Sequence, residues 1–316
     1  MMTINRIMVA IGLRRIMGMA AWWELGCREM ALFTRQTPPT IIMDIDMTIK
    51  IALAQFEIAL GDPDTNLQTG LIAIAQAAKQ GCQLVQLPEL WLSGYDLPNC
   101  DIYSQLTTDW TDRLQALSDS YNLAIGGSFI TSQEQRYYNT YLLFQPGQPE
   151  PAHYNKTHLF RLLDEHSYFS PGEDLAVVQL PWGKVGLALC YDLRFPELMR
   201  AYAERGIQCL LVAAEWGQRR TEHWRTLLKA RAIENQIFVA ATNAIGPIYK
   251  DRLAGYSTVL DPWGNILAEA SPDEPALLTA ELDLTEIERV RQVVPSTADR
   301  RTTLYQRWYQ EARSNG

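Results

Sequence analysis

The run Val185-Gly186-Leu187-Ala188-Leu189 carries no polar side chain and stops at Cys190. Such a short apolar run, bounded by turn signals, reads as a buried strand. Downstream, Pro196 suits the first position of a helix and Glu197 its first turn. Leu198, Met199 and Tyr202 continue at helical spacing, and Gly206 marks the stop. Cys190 therefore sits where a strand gives way to a helix. A thiol there can face a pocket, with backbone N–H groups beside it for a developing oxyanion. The competing reading is a buried structural cysteine, a common fate for this residue.

The same punctuation runs through the chain from Met47. Residues 48–55, 84–87, 123–129, 138–144, 175–180, 209–214, 237–242, 258–260, 265–269 and 277–282 read as further strands. Asn66 is placed to cap a helix running to about Gln80, and 109–121, 222–234 and 285–292 read as helices, followed by a tail. Pro181-Trp182-Gly183-Lys184 and Asp261-Pro262-Trp263-Gly264 read as hairpin turns. Alternating strands and helices without repeats or linkers argue one α/β domain over residues 47–316.

Two more stretches carry chemistry-bearing side chains. The strand at 84–87 ends in Pro88 and is followed at once by Glu89, and the ends of strands are where open α/β sheets place functional groups. Lys156 lies among aromatic and apolar neighbours in His153-Tyr154-Asn155-Lys156-Thr157-His158-Leu159-Phe160. Each has a plain alternative: Glu89 as a turn cap, Lys156 on a solvated face. Together with Cys190 they supply a base, a cation and a nucleophile.

Charge and cysteine usage narrow the function. The net charge of −8 argues against a nucleic-acid partner, which needs a basic face. Five scattered cysteines (27, 82, 100, 190 and 209) form no paired framework, which fits a reducing cytoplasm. His153, His158, His166 and His223 show no zinc spacing, so no metal is expected. Residues 1–46 differ from the rest: eight of the nine methionines fall within the first 47 positions, and the apolar runs 7–13 and 16–23 are too short to span a bilayer. The segment lacks a clean signal-peptide pattern. It reads as an extra piece outside the core, with Met47 as the natural start and a basic targeting arm as the alternative.

Four motifs in order carry a family resemblance. Leu87-Pro88-Glu89, Tyr154-Asn155-Lys156-Thr157-His158-Leu159-Phe160, Glu165 ahead of Ser170-Pro171-Gly172, and Cys190-Tyr191-Asp192-Leu193-Arg194-Phe195-Pro196-Glu197 resemble the signatures of the nitrilase superfamily, the carbon–nitrogen hydrolases. The resemblance runs from about Met47 to the segment around Tyr305. It implies a four-layer αββα sandwich of the nitrilase type, a homodimer or higher homo-oligomer formed near the Cys190 helix, and no cofactor. It further implies Cys190 as nucleophile, Glu89 as base, Lys156 as oxyanion cation, Glu165 as the group orienting Lys156 and Glu89, and the Tyr191 N–H as second oxyanion donor. The Cys190–Glu197 run and the stretch from Lys156 to His166 are similar to the omega-amidase branch, in which the position of Arg194 holds a substrate carboxylate. The expected activity is hydrolysis of a small linear amide, 2-oxoglutaramate type first. Nitrilase and N-carbamoyl amine hydrolase chemistry are alternatives, as is a non-catalytic interaction protein on the same fold. Trp91 and Tyr95 are either pocket lining or core, with core favoured for Trp91.

Overall fold

The computed structural model describes residues 48–314. The reading of residues 1–46 as an extra segment lies outside them. Two six-stranded mixed sheets form the centre. The first takes β1 (Thr48–Gln55), β2 (Leu84–Gln86), β3 (Ala124–Gln133), β4 (Arg136–Phe144), β5 (Ala152–Asn155) and β14 (Ala276–Asp283), in the order β14-β1-β2-β3-β4-β5. The second takes β6 (Val177–Leu180), β7 (Gly183–Leu189), β8 (Cys209–Ala214), β9 (Phe238–Asn243), β12 (Thr258–Leu260) and β13 (Ile266–Glu269), in the order β13-β12-β9-β8-β7-β6. A small hairpin, β10 (Pro247–Ile248) with β11 (Asp251–Arg252), stands apart.

The central strands of each sheet are parallel, β1 to β2 to β3 in one and β7 to β8 to β9 in the other. Parallel strands are normally covered on both faces, which is why they read as continuous apolar runs. Strand alternation shows the consequence. Leu187, Leu189, Leu211 and Ala213 point into a core shared by the two sheets, with Ile51, Leu53, Leu84 and Leu143 opposite. Ala188, Leu210 and Val212 point the other way, onto α4 (Pro196–Glu204) and α5 (Thr221–Asn235) through Leu198, Met199, Tyr202, Trp224 and Leu228. On the first sheet, Ala52, Ala54, Val85 and Ile125 face Ala73, Ile74, Ala77 and Leu114 of α1 (Pro63–Lys79) and α2 (Cys100–Tyr121). The layers are therefore helix, sheet, sheet, helix, as the sequence implied. Polar side chains bridge the seam between the sheets. Gln86 of the first sheet donates from Nε2 to Val212 O at 2.6 Å and Thr242 Oγ1 at 3.0 Å of the second.

Four local expectations need correction. Asp62, not Asn66, caps α1 by accepting from Thr65 N at 3.1 Å. Asn66 is buried and ties Ala59 N and O to Leu92 O, a use its sequence position does not signal. Helix α2 starts at Cys100 rather than Asp109, because Cys100, Tyr103, Thr107 and Leu114 share its inward face. The helix expected at 285–292 is α6 (Thr285–Val293), and the tail after it carries a further helix, α7 (Thr302–Ser314). The short strand β5 was not foreseen at all. Among the described residues, no helix is long and apolar enough to cross a membrane.

Candidate active site

Three strands deliver two acids and a thiol to one place. Glu89 follows β2, Cys190 follows β7 and Glu215 follows β8, each just beyond the carboxyl end of a parallel strand. Lys156 follows β5, and Glu165 opens the one-turn helix α3 (Glu165–Tyr168). Glu89, Lys156 and Glu165 are wholly buried, and Cys190 is 7% exposed.

Lys156 is the hub. Its Nζ donates to Glu89 Oε1 and to Glu165 Oε1, both at 2.7 Å. Burial alone would lower the lysine's proton affinity, but the Glu165 and Glu89 carboxylates more than offset it, so the ammonium is held well above its ordinary pKa. Glu89 is fixed on both oxygens. Asn139 Nδ2 donates to Oε1 at 2.9 Å and the Glu215 backbone N–H to Oε2 at 2.9 Å. Asn139 is oriented in turn by Ser128 Oγ at 2.8 Å, which also accepts from Leu90 N at 2.8 Å. Glu165 accepts from Tyr95 OH at 2.7 Å and, on its other oxygen, from Phe160 N at 2.6 Å. Burial raises the Glu165 pKa, with Lys156 opposing.

Cys190 has a φ of +40°, a left-handed conformation that a non-glycine residue holds only when its surroundings enforce it. Asp192 supplies the enforcement. Its Oδ2 accepts from Leu189 N at 3.0 Å and from Tyr154 OH at 2.8 Å, while Oδ1 accepts from His158 N at 3.0 Å and lies 2.8 Å from His158 Nδ1. One buried carboxylate thus staples the turn after β7 to the segment that carries Lys156. His158 also stacks on Phe195 at 3.6 Å between ring centroids. Burial, then the facing Glu89 carboxylate, pushes the Cys190 thiol well above its ordinary pKa, with Lys156 pulling the other way. The resting group is therefore a thiol, and its reaction needs a proton acceptor.

Cys190 opens onto a cavity of about 700 Å³. Its lining includes Cys190, Tyr191, Arg194, Glu215 and Trp216, with Phe160, Leu162, Tyr168 and the β10–β11 turn at Tyr249 and Lys250. Arg194 lies over the Trp216 ring at 4.6 Å and 3.3 Å from His223 Nδ1. It makes no ion pair with Asp192 or Glu197, the acids nearest it in sequence, and neither Arg194 nor Arg220 has a carboxylate partner among the described residues. Burial and the like charge of Arg220 lower the Arg194 pKa.

Of the residues singled out from the sequence, Cys190, Tyr191 and Arg194 line this cavity. Glu89, Lys156, Glu165 and Cys190 form one cluster, and Tyr191 and Arg194 lie on its wall. Trp91 is core, edge-on to Phe129 at 5.5 Å, whereas Tyr95 belongs to the site through Glu165. Sequence reading missed Asn139, Asp192 and Glu215. The last carried a usable signal, because Glu215 follows its strand as Glu89 follows β2. No group of three or more His, Cys, Asp or Glu side chains suited to a metal ion occurs among the described residues.

Residues 50–292 match the carbon-nitrogen hydrolase family. A 2-oxoglutaramate amidase of Bacillus subtilis (strain 168) is 38% identical over 259 residues, covering 81% of this chain and 98% of that protein. The omega-amidase NIT2 of Mus musculus is 32% identical, covering 82% of this chain and 97% of that protein. Among solved structures, an amidase from Nesterenkonia sp. AN1 superposes with a TM-score of 0.73 at 30% identity, over 82% of this chain and 97% of that one. That structure shows covalent addition of the acetamide moiety of fluoroacetamide at its active-site cysteine.

Proposed function

The chain belongs to the carbon–nitrogen hydrolase family, an amide-hydrolysing enzyme by its relatives, and we propose that its substrate is a small linear amide with a carboxylate at the far end, as in 2-oxoglutaramate. The observation that carries the substrate class is the unpaired Arg194, backed by Arg220, on the wall of the cavity that opens over Cys190. A guanidinium fork suits a carboxylate, and a half-buried one without a carboxylate partner favours an anionic guest. The relatives named 2-oxoglutaramate amidase and omega-amidase support the same reading.

The proposed mechanism follows from the hydrogen bonds. Glu89 takes the Cys190 proton as the sulfur attacks the amide carbon. The carbonyl oxygen becomes an oxyanion facing the Lys156 ammonium and the Tyr191 N–H. Collapse of the tetrahedral species breaks the C–N bond, and the proton held on Glu89 passes to the departing nitrogen, releasing ammonia. A thioester remains on Cys190. Water gives a proton to Glu89 as it attacks that thioester. The second tetrahedral species then releases the carboxylic acid, and the proton returns to the Cys190 sulfur. Glu165 keeps Lys156 pointed at the reacting oxygen throughout and exchanges no proton.

The assembly is proposed to be a homodimer, with the α4 surface and α7 as its contact. Trp308 and Tyr309 of α7 are more than half exposed in the single chain, which supports a buried role there. The place of action is proposed to be the cytoplasm, and residues 1–46 are proposed to lie outside the catalytic domain.

Ammonia release measured over 2-oxoglutaramate, succinamate, neutral amides, nitriles and N-carbamoyl amines tests the substrate. The acidic amides should lead, and Arg194→Lys should lower kcat/KM for them by roughly ten- to a hundredfold while changing neutral amides much less. Equal losses on acidic and neutral amides, or a preference for nitriles or carbamoyl amines, would remove the carboxylate reading.

A further inference from the structure

Glu215, an acid of the cavity lining, has no part in the mechanism above. It is 5% exposed, it lines the same cavity as Cys190, and its Oε1 is buried without a hydrogen-bond partner. Its place is not free to drift. The Glu215 backbone N–H holds Glu89 Oε2 at 2.9 Å, while the next N–H, of Trp216, donates to Asn243 Oδ1 at 2.7 Å. The backbone that carries this side chain is therefore tied to the carboxylate that handles the proton.

An unpaired buried acceptor costs stability, on the order of 1–3 kcal/mol, so a chain that keeps one inside a cavity leaves room for a partner that arrives with the substrate. Burial first, and the Glu89 charge second, raise the Glu215 pKa well above the carboxylate range. A neutral carboxyl offers one C=O acceptor and one O–H donor. A primary amide brings two N–H donors on its nitrogen. Lys156 and the Tyr191 N–H take the substrate's oxygen in the proposed mechanism, and Glu89 faces its nitrogen from one side. The other N–H needs an acceptor, and Oε1 of Glu215 is the unpartnered one in this lining.

We propose that Glu215 is a substrate-binding residue whose Oε1 accepts one N–H of the scissile NH2 group, so that the site selects primary amides over N-substituted ones. The inference rests on the amidase reading and deepens it. An N-methyl amide has a single N–H, so either Glu215 or Glu89 faces a methyl group instead of a donor. Sites that hydrogen-bond a substrate N–H reject analogues lacking it, because their own buried groups are then left unpaired.

Succinamate and N-methylsuccinamate share the carboxylate that Arg194 would hold and differ only at nitrogen. Their kcat/KM ratio is measured in the wild type, Glu215→Met and Glu215→Gln, with N-methylsuccinamate read as a competitive inhibition constant if its turnover is too slow to follow. Glu215→Met keeps the length of the side chain and removes both oxygens. It should lose roughly tenfold in kcat/KM on succinamate and little on the N-methyl compound, so the ratio falls. Its Tm should not drop, since an unpaired polar group has been replaced by an apolar one. Glu215→Gln retains a carbonyl acceptor and should retain the ratio. Glu215→Ala serves if the Met variant does not fold. A ratio within about twofold of wild type in the Met or Ala variant overturns the assignment, whatever the loss in overall rate. A wild type that releases no ammonia from any primary amide overturns it together with the amidase reading.

Discussion

Glu89→Gln separates the chemical role of the buried acid from its structural one. Wild-type Glu89 accepts from Lys156 Nζ at 2.7 Å and Asn139 Nδ2 at 2.9 Å on Oε1, and from Glu215 N at 2.9 Å on Oε2. Glutamine has one carbonyl oxygen. Placed at Oε1 it keeps both side-chain donors, but its NH2 then meets the Glu215 N–H, two donors face to face. One unmet buried hydrogen bond costs about 1–3 kcal/mol, and at roughly 2–4 °C per kcal/mol for a domain of this order the Tm should fall by about 2–12 °C. The chemical loss is larger: removing a positioned general base is worth ~10²–10⁴-fold in rate. Two assays read the two effects. Differential scanning fluorimetry gives the Tm, and ammonia release from succinamate at 25 °C, below the transition of both proteins, gives kcat. Alkylation of Cys190 by iodoacetamide should slow as well, because the thiol loses its acceptor. A kcat within about tenfold of wild type in a folded Glu89→Gln protein would refute the base assignment and leave Glu89 as an anchor for Lys156.

Cys190→Ala should abolish ammonia release with a Tm close to wild type, and residual turnover would transfer the chemistry to another group. Asp192→Asn should reduce both Tm and kcat, because one of its oxygens, each holding two contacts, becomes a donor, a loss of about 1–3 kcal/mol; unchanged activity would show that the Cys190 turn keeps its shape without the staple. The wild type should lose stability relative to Glu215→Gln as pH rises. A folded-state pKa above the ordinary value of 4.5 gives a contribution fully present below that value and lost as pH climbs toward the raised one, so a Tm difference that stays constant from acid to neutral pH would contradict a neutral buried acid. A protein beginning at Met47 should keep its activity and oligomeric state, and aggregation or dissociation by size-exclusion chromatography would make residues 1–46 part of the working protein.

The sequence carried the architecture because the parallel strands are covered on both faces and so appear as unbroken apolar runs, of which Cys209–Ala214 is an example with its ends read correctly. Glu89, Lys156, Glu165 and Cys190 could be singled out because each lies in a local motif that resembles a family signature, and the fold brings them together. The sequence did not carry what depends on distant pairing. Asn139 looks like one polar residue among the aromatic and apolar residues of its strand, and only the fold brings it within 2.9 Å of a residue fifty positions earlier. Asp192 sits in plain view beside Cys190, yet its bonds to Tyr154 and His158 span more than thirty positions. Helix α2 was read too short because Thr107 and Thr108, poor helix formers in isolation, bond back to the carbonyls of Tyr103 and Ser104 and are accommodated by packing.

The seam between the sheets has a consequence for how the enzyme fails. Glu89, Lys156 and Glu165 ride on the first sheet and its loops, while Cys190 and Glu215 ride on the second. Neither half holds the whole of the proposed reaction centre. What aligns them is side-chain interdigitation, the Gln86 bonds to Val212 and Thr242, the Asp192 bonds to Tyr154 and His158, and the Glu215 N–H on Glu89, rather than an extended strand ladder. A shift of one sheet against the other by about an ångström would leave every helix and strand intact and still misplace thiol from base, a displacement that can cost on the order of a hundredfold in rate. Turnover is thus a vernier on sheet alignment. In rising urea it should vanish while the far-ultraviolet circular dichroism is still native.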